Sequence, residues 1–253
     1  MASLKTSAEI GAMAEAGRRL AEVLSLLAAE VRPGVATMHF EELGRKLIRE
    51  RGAEPAFLGY RPHWSERSYP YALCVSLNDT VVHGRPGAYV IREGDLVKLD
   101  LGVKYGGWYV DAACTVGAGR ITPEAQKLIT ATKTALERAI EETRPGRTLG
   151  DIGWAIEQVA RRAGFSVARS LTGHGIGREL HEEPSVLNVG RRGKGEELTP
   201  GMVLAIEPMI VAGQGEVKER KDESVATADG SLAAHFEHTV AITKQGPRIL
   251  TAP

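Results

Sequence analysis

Cysteine, net charge and long hydrophobic runs are all scarce in this chain, and each scarcity excludes a class of protein. The 253 residues include only 2 cysteines, Cys74 and Cys114, which are too few for a disulfide framework and lack the spacing of a thiolate metal site. The 32 basic and 32 acidic residues cancel, so the chain has no overall positive charge to hold nucleic acid. No apolar run approaches the roughly 20 residues of a membrane helix. We therefore expect a cytoplasmic monomer that binds neither membranes nor specific nucleic-acid sequences.

Several catalytic motifs are also missing. The chain contains no Gly-x-Ser-x-Gly nucleophile elbow and no Walker phosphate loop, which argues against serine hydrolases and nucleotide-binding proteins. His181-Glu182-Glu183-Pro184-Ser185 does not match the His-Glu-x-x-His helix of zinc peptidases. At the N-terminus, Thr6-Ser7-Ala8-Glu9 is a capping-box pattern that predicts an amphipathic helix and not a signal peptide. What remains is a chain rich in acids and histidines.

Acidic residues recur at matching places in two stretches. Gly94–Asp100 and Gly201–Glu207 share the pattern Gly-x-apolar-apolar-x-apolar-acid, which predicts a carboxylate at the end of an apolar strand. Asp111 and Glu237 then fall inside two further strand-like segments. Acids within apolar strands are costly unless something neutralises them. Four of them at equivalent positions indicate a shared cationic ligand.

The signals that end one helix and begin the next repeat along with the acids. Each copy has Arg-Pro-Gly to end one helix, a threonine to cap the next and a glycine to stop it. These signals lie at Arg32–Gly34, Thr37 and Gly52 in the first copy and at Arg144–Gly146, Thr148 and Gly164 in the second. We therefore expect one α/β (α+β) domain over residues 1–253, built from two helix-helix-strand halves, roughly 6–120 and 121–253, with its site on a pseudo-twofold axis.

Three histidines stand beside glycines and near the repeated acids. His174 lies between Gly173 and Gly175, His181 follows seven residues later, and His83 precedes Gly84. Because glycine allows the backbone to approach a ligand closely, these histidines are predicted to belong to the site. His39 and His63 lack this context and are expected to be ordinary surface or core residues.

Five ordered motifs, which together span nearly the whole chain, resemble the methionine aminopeptidases of the bacterial type I form. They are Leu77–Gly84, Gly94–Asp111, Gly173–Pro184, Pro200–Met209 and Phe236–Thr239. The resemblance implies the pita-bread fold, in which two related halves enclose a dinuclear metal site. It also implies removal of the N-terminal methionine from nascent proteins and peptides with a small second residue, by attack of a metal-bridged hydroxide on the first peptide carbonyl.

Residue by residue, the resemblance implies metal ligands at Asp100, Asp111, His174, Glu207 and Glu237, with Asp111 and Glu237 bridging two divalent ions. A set of oxygen and nitrogen donors without thiolate suits Co²⁺, Mn²⁺ or Fe²⁺ at least as well as Zn²⁺.

Catalytic and substrate-binding roles follow from the same resemblance. Glu207 also carries a proton from water to the leaving amine, His181 hydrogen-bonds the carbonyl oxygen, and His83 contacts the scissile amide nitrogen; a packing role is the alternative for both histidines. Tyr69 and Cys74 match positions that line the methionine pocket. An ordinary buried cysteine is the alternative for Cys74.

Some features depart from the family pattern. Leu180 stands where phenylalanine is frequent, and Glu223 stands where a tryptophan at the rim of the pocket is common. Residues 62–66 resemble an added loop, in which Trp64 is a candidate substitute for that aromatic. The basic cluster Arg191–Lys194 leaves a contact with the ribosome open.

Two other functions remain as hypotheses. A proline-directed peptidase of the same fold usually carries a large N-terminal domain, whereas this chain begins at the first helix of the repeat. A catalytically inactive relative that only binds protein ends is expected to have lost metal ligands, whereas all five are present here. A panel of peptides that vary in their first two residues distinguishes the three functions.

Overall fold

The structure, a computed structural model, describes residues 2–61 and 67–252. These ranges contain four α-helices, none of them long and apolar enough to cross a membrane: α1 (Ser7–Ala29), α2 (Thr37–Glu50), α3 (Pro123–Glu142) and α4 (Leu149–Arg162). The strands in the same ranges are β1 (Glu54–Pro55), β2 (Cys74–Leu77), β3 (Thr80–Val82), β4 (Leu96–Tyr105), β5 (Trp108–Gly117), β6 (Ser166–Val167), β7 (Thr172–Gly175), β8 (Glu182–Leu187), β9 (Val203–Ile206), β10 (Met209–Val211), β11 (Val217–Glu219), β12 (Val225–Thr227), β13 (Ala233–His235), β14 (Glu237–Thr243) and β15 (Gly246–Ile249). Two helices followed by strands thus occur twice; that the two halves are related by a pseudo-twofold axis stays a prediction.

Capping residues explain where the helices begin. The Thr6 hydroxyl accepts a hydrogen bond from the Glu9 backbone N–H, and the Glu9 carboxylate accepts one from the Thr6 backbone N–H, which confirms the predicted capping box of α1. Thr148 is confirmed as the N-cap of α4, where the Asp151 carboxylate accepts its backbone N–H at 2.8 Å.

The prediction for α2 was wrong by one residue, because the Thr37 side chain is engaged elsewhere. Ala36 is the N-cap, while Thr37 Oγ1 donates to the carbonyl of Gly87 at 3.0 Å and accepts its N–H at 2.9 Å. Thr37 therefore holds the start of the helix to a distant loop. The predicted stops are confirmed, because Gly52 and Gly164 follow α2 and α4 with positive φ of 66° and 77°.

The central sheet joins strands from both halves of the chain. Seven of its nine strands lie in the order β1-β4-β5-β14-β9-β7-β8, while β2 pairs with β4 and β15 with β14. Strands β4 and β5 form an antiparallel hairpin that pairs from Leu96↔Gly117 to Tyr105↔Trp108. Because β5 lies next to β14, acids from the two halves become neighbours on the sheet.

Two hydrophobic clusters hold the helices on this sheet. Fully buried side chains of α1 and α2, such as Leu20 and Phe40, pack with β4 residues such as Leu99. Side chains of α3 and α4 form the second cluster with β9 and β14, including Leu128 and Val240. Removal of this apolar surface from water is the main force that fixes each helix pair on its own part of the sheet.

Two three-stranded sheets, β13-β10-β6 and β11-β12-β3, complete the fold. A buried ammonium connects them to the central sheet, because Lys98 Nζ of β4 donates to the carbonyls of Asn78 at 2.8 Å and Ala233 at 3.0 Å. Asn78 precedes the strand that leads to His83, and Ala233 begins the strand that ends at His235. Both histidines are thereby placed relative to Asp100, the acid of β4.

Candidate metal centre

Strand register brings three of the four predicted acids to one face of the central sheet. Asp100 of β4 lies opposite Ala113 of β5, and Ala113 lies opposite Glu237 of β14. Asp111 is two residues from Ala113 along β5 and therefore points to the same face. The expected strand end at Asp100 was wrong, because β4 pairs with β5 as far as Tyr105. Asp100 and Asp111 are consequently held inside a continuous hairpin.

The remaining predicted ligands come from the ends of shorter strands. Glu207 directly follows β9, as predicted, and His174 of β7 lies opposite Ala205 of β9. A Cβ atom on Gly173 would lie 2.3 Å from the carbonyl oxygen of Ala205, and one on Gly175 would lie 2.2 Å from that of Glu183. These glycines therefore permit close approach of neighbouring strands, and their predicted role next to a ligand stays a prediction.

The side chains of all five predicted ligands converge. Ligand atoms of Asp111, His174 and Glu237 all lie within 4.8 Å of one another. Glu207 Oε1 lies 3.7 Å from His174 Nε2, and the charge of Asp100 raises the pKa of both Glu207 and Glu237. The Nδ1 of His174 lies 2.8 Å from the carbonyl oxygen of Gly175, an interaction that requires a proton on Nδ1. The lone pair of the neutral ring is then on Nε2, beside the acids.

Burial raises the pKa of every acid in this group, and the charges of neighbouring acids add to the effect at Asp100, Glu207 and Glu237. Burial raises the pKa of Asp111 from its ordinary value of 3.8 to about 7. The pKa values of Asp100, Glu207 and Glu237 are raised well above their ordinary values, first by burial and then by the neighbouring acids. Carboxylates crowded in this way favour the proton-bearing form unless a positive charge lies among them.

Unpartnered oxygens test whether these residues fit a metal. Asp111 Oδ1 and Glu237 Oε1 are buried and have no hydrogen-bond partner among the described residues, a costly arrangement for carboxylates. Together with the lone pair on His174 Nε2, they provide hard oxygen donors and an imidazole nitrogen, which are typical ligands of divalent transition metals. The donor set fits a divalent metal; the ligand role of each residue stays a prediction.

His181 lies beside this group of acids. Its ring is 4.4 Å from the ring of His174, centroid to centroid, in an edge-to-face arrangement. Its Nδ1 lies 2.6 Å from the phenolic oxygen of Tyr60. The sequence pattern had singled out His181, whereas nothing in it pointed to Tyr60.

His83 follows β3 with an unusual backbone conformation. Its φ of 59° lies in the left-handed region, which residues other than glycine adopt mainly where the surrounding structure imposes it, often at functional sites. The next residue, Gly84, is required by packing, because a Cβ there would lie 2.5 Å from the carbonyl oxygen of Val75. His83 is an exposed residue, but protein atoms crowd around its ring, and this partial desolvation lowers its pKa.

The sequence pattern also left His235 without a role. Its buried ring places Nε2 3.4 Å from Glu207 Oε2, and burial lowers its pKa to about 3. Thr115 Oγ1 donates to the His235 carbonyl at 2.7 Å and accepts its backbone N–H at 2.9 Å. Glu207 thus lies between two imidazoles, His174 at one oxygen and His235 at the other. The two-residue spacing between His235 and Glu237 was the signal that could have identified it.

The two residues predicted to line a methionine pocket lie beside Asp100. Cys74 of β2 is buried opposite Asp100, and burial raises the pKa of its thiol. The Tyr69 hydroxyl lies within hydrogen-bonding distance of the carbonyl oxygens of Leu73, at 3.1 Å, and Gly84, at 3.0 Å. Tyr69 therefore supports the chain that carries His83. The substrate-binding role of both residues stays a prediction.

The residues that differ from the family pattern lie in different surroundings. Leu180 is buried in the cluster that holds α1 and α2. Glu223 forms an ion pair with Arg85 at 3.1 Å, which offsets the negative charge expected at the rim of the pocket. Trp64 and the rest of residues 62–66 lie outside the described residues.

Solved structures share this architecture over the full chain. The crystal structure of methionine aminopeptidase from Thermotoga maritima superposes with a TM-score of 0.95 at 41% identity and covers 100% of both chains. The prolidase from Pyrococcus furiosus superposes with a TM-score of 0.79 at 23% identity, over 99% of this chain and 65% of that one. The prolidase match shows only a common fold. Together these matches confirm the predicted pita-bread fold.

Sequence comparisons agree over nearly the same length. The methionine aminopeptidase of Aquifex aeolicus is 51% identical over 254 residues and covers 98% of each chain. That of Clostridium perfringens is 45% identical over 252 residues and covers 99% of each. The sequence profile of metallopeptidase family M24 matches residues 11–244. The chain therefore belongs to metallopeptidase family M24.

Proposed function

We propose that this protein is a metal-dependent aminopeptidase that removes the N-terminal methionine from nascent proteins and peptides with a small second residue. The observation that carries the proposal is the convergence of four buried carboxylates and His174 in a member of family M24 whose relatives are methionine aminopeptidases. Burying several carboxylates close together is unfavourable, and bound cations would offset this cost by neutralising the negative charge.

Two divalent ions would be held by the five converging residues, with Asp111 and Glu237 contributing to both, and Co²⁺, Mn²⁺, Fe²⁺ and Zn²⁺ all suit this donor set. When bound, the ions supply positive charge that acidifies a water molecule and polarises a peptide carbonyl. The crowded acids support this assignment, because ions would relieve the repulsion that raises their pKa values.

Glu207 has the setting of a proton carrier. Its carboxylate is mostly buried and its pKa is raised by burial and by Asp100, which favours acceptance of a proton from water and its delivery to the leaving amine. His181 would donate a hydrogen bond to the substrate carbonyl oxygen as negative charge develops there. His83 would contact the amide nitrogen of the bond that breaks.

Substrate selection is assigned to the pocket beside these groups. Tyr69 and Cys74 would contact the methionine side chain, because an aromatic ring and a sulfur atom are soft, polarisable partners for a thioether. We propose that the natural substrates are nascent chains in the cytoplasm. The active form is proposed to be a monomer. A ribosome contact would fall on the basic cluster 191–194, in which Arg192 already stacks on Trp154 at 3.8 Å.

A panel of peptides tests the proposal directly. After metal removal, the protein is assayed with Met-Ala, Met-Gly, Met-Lys, Met-Phe, Leu-Ala and X-Pro peptides, before and after addition of each of the four metals. Cleavage of Met-Ala and Met-Gly alone, and only with metal, is the expected result. Preferential cleavage of X-Pro peptides would indicate a proline-directed peptidase. Binding of peptides without cleavage by any metal-loaded form would indicate an inactive relative.

A further inference from the structure

The phenol of Tyr60 contacts the one imidazole that the proposed reaction uses as a hydrogen-bond donor. Tyr60 Oη lies 2.6 Å from His181 Nδ1, a short hydrogen bond between residues 121 positions apart. The two rings lie 5.1 Å apart, centroid to centroid, at an angle of 58°. The His181 ring also contacts His174, a predicted ligand, at 4.4 Å. The His181 imidazole is therefore in contact with Tyr60 through Nδ1 and with the ring of His174.

Tyr60 is itself fixed by its backbone. Its N–H donates to the carbonyl of Phe57 at 3.0 Å, and its carbonyl accepts the N–H of Tyr69 at 2.8 Å. Phe57 is part of the hydrophobic core around α1. The phenol is thus positioned before any substrate arrives, which is what a group that orients a catalytic side chain requires. Burial and the nearby Glu179 raise the Tyr60 pKa, so the phenol keeps its proton at neutral pH.

A phenol that donates to Nδ1 determines which nitrogen of a neutral imidazole carries the proton. When Nδ1 accepts a hydrogen bond, the ring proton must be on Nε2. The opposite tautomer would turn a lone pair on Nε2 towards a carbonyl oxygen that is becoming negative, and such a contact is repulsive. A donor to Nδ1 also polarises the ring and strengthens the hydrogen bond that Nε2 donates.

We propose that Tyr60 is a positioning residue for peptide hydrolysis, which donates its phenolic proton in a hydrogen bond to His181 Nδ1 and so holds the Nε2–H tautomer that stabilises the substrate carbonyl oxygen. The proton stays on the Tyr60 oxygen throughout, and no bond is made or broken at the phenol. This role rests on the proposed function and adds a residue to it.

Tyr60→Phe is the matched substitution, because it removes one oxygen and keeps the ring. We expect kcat on a Met-Ala peptide to fall about tenfold, which corresponds to the loss of a hydrogen bond of about 1.4 kcal/mol, while KM and the metal content stay unchanged. Tyr105→Phe is the control, since that phenol is remote from the acids and accepts a hydrogen bond from Arg19 at 3.0 Å. The control should keep its kcat.

A double-substitution cycle separates positioning from general damage to the fold. In a His181→Ala background, Tyr60→Phe should cause no further loss of kcat, because the group through which it acts is gone. A second tenfold loss in that background would overturn the proposal, and so would full activity of the single variant.

The tautomer gives a readout that needs no activity. In protein with ¹⁵N-labelled histidine, the signals of His181 are assigned by their absence from His181→Ala. We expect the Nε2–H tautomer in the unsubstituted protein and a mixture or the Nδ1–H form in Tyr60→Phe. An unchanged tautomer would overturn the role of Tyr60. If no peptide is cleaved but the tautomer shifts, the proposed function fails while the control of His181 by Tyr60 stands.

Discussion

The two halves of the chain bring acids to the centre in different ways. Asp100 and Asp111 belong to ten-residue strands that pair with each other along their whole length. Glu207 lies just beyond a four-residue strand, and Glu237 is the first residue of its strand. The acids of the first half therefore lie inside continuously paired strands. Those of the second half lie at the ends of strands.

The surroundings of the acids differ accordingly. In the first half, the backbone N–H of Asp111 donates to Thr239 Oγ1 of the second half at 2.9 Å. In the second half, Glu207 has His174 at 3.7 Å and His235 at 3.4 Å. A rigid hairpin suits the holding of charge, and a strand end beside imidazoles suits the movement of protons.

Neutralising one bridging acid from each half should have the largest effect. Asp111→Asn and Glu237→Gln keep the side-chain shape and remove a charge, so we expect loss of bound metal and a fall in kcat/KM of about 10³-fold or more, since a metal ion contributes several kcal/mol to the transition state. Elemental analysis and peptide assays measure both. Exposed Glu124 of α3 is the control through Glu124→Gln. Two ions retained by both variants would contradict the bridging roles.

Removing the imidazole of His181 should affect the rate and not the metal content. His181→Ala is expected to keep its metal content and to lose about 10²-fold in kcat, the usual cost of losing a group that stabilises a developing oxyanion. The same two measurements apply. If His181→Ala lost metal while Asp111→Asn kept it, the assignments of the two halves would have to be exchanged.

His235 tests whether the histidines of the second half orient its acid. His235→Leu should weaken metal binding by about 10-fold to 100-fold, because polar neighbours that orient a ligating side chain commonly have effects of this size, and His235 Nε2 lies 3.4 Å from Glu207 Oε2. Titration calorimetry of metal-free protein with Mn²⁺ measures the affinity. His235→Gln keeps an N–H donor and should restore most of it. Equal affinities of the two variants would reject an orienting role.

Stability of the metal-free protein should fall as the pH rises. Burial raises the folded-state pKa of Asp111 from 3.8 to about 7, so the neutral acid is tolerated below the lower value and stability is lost as the pH rises through the upper one. From pH 5 to pH 8 we expect Tm to fall by about 3 °C or more, the shift produced by about 1 kcal/mol in a protein of this size. Calorimetric scans at each pH measure it.

Bound metal should remove much of this pH dependence, because it offsets the charge of the acids and stabilises the native state. Asp111→Asn, which cannot ionise, should also flatten the profile. A metal-free Tm that rises between pH 5 and pH 8 would show that other groups dominate.

Local patterns were sufficient for most of the helix boundaries. The capping boxes at Thr6 and Thr148 and the glycine stops at Gly52 and Gly164 depend on short-range contacts, which a sequence displays directly. The local capping pattern failed at Thr37 because a distant backbone carbonyl, that of Gly87, 50 residues away, takes the hydrogen bond of its hydroxyl.

The sequence by itself determined which residues are acidic, which segments have helix or strand periodicity and where most helices begin and end, because period and capping act over a few residues. Only the tertiary structure decided that Glu207 lies between two imidazoles and that Tyr60 contacts His181. Those contacts join segments far apart in the chain, and they exist because β5 pairs with β14 and places the two halves side by side. No local pattern encodes a distance between strands that meet only when the sheet is assembled.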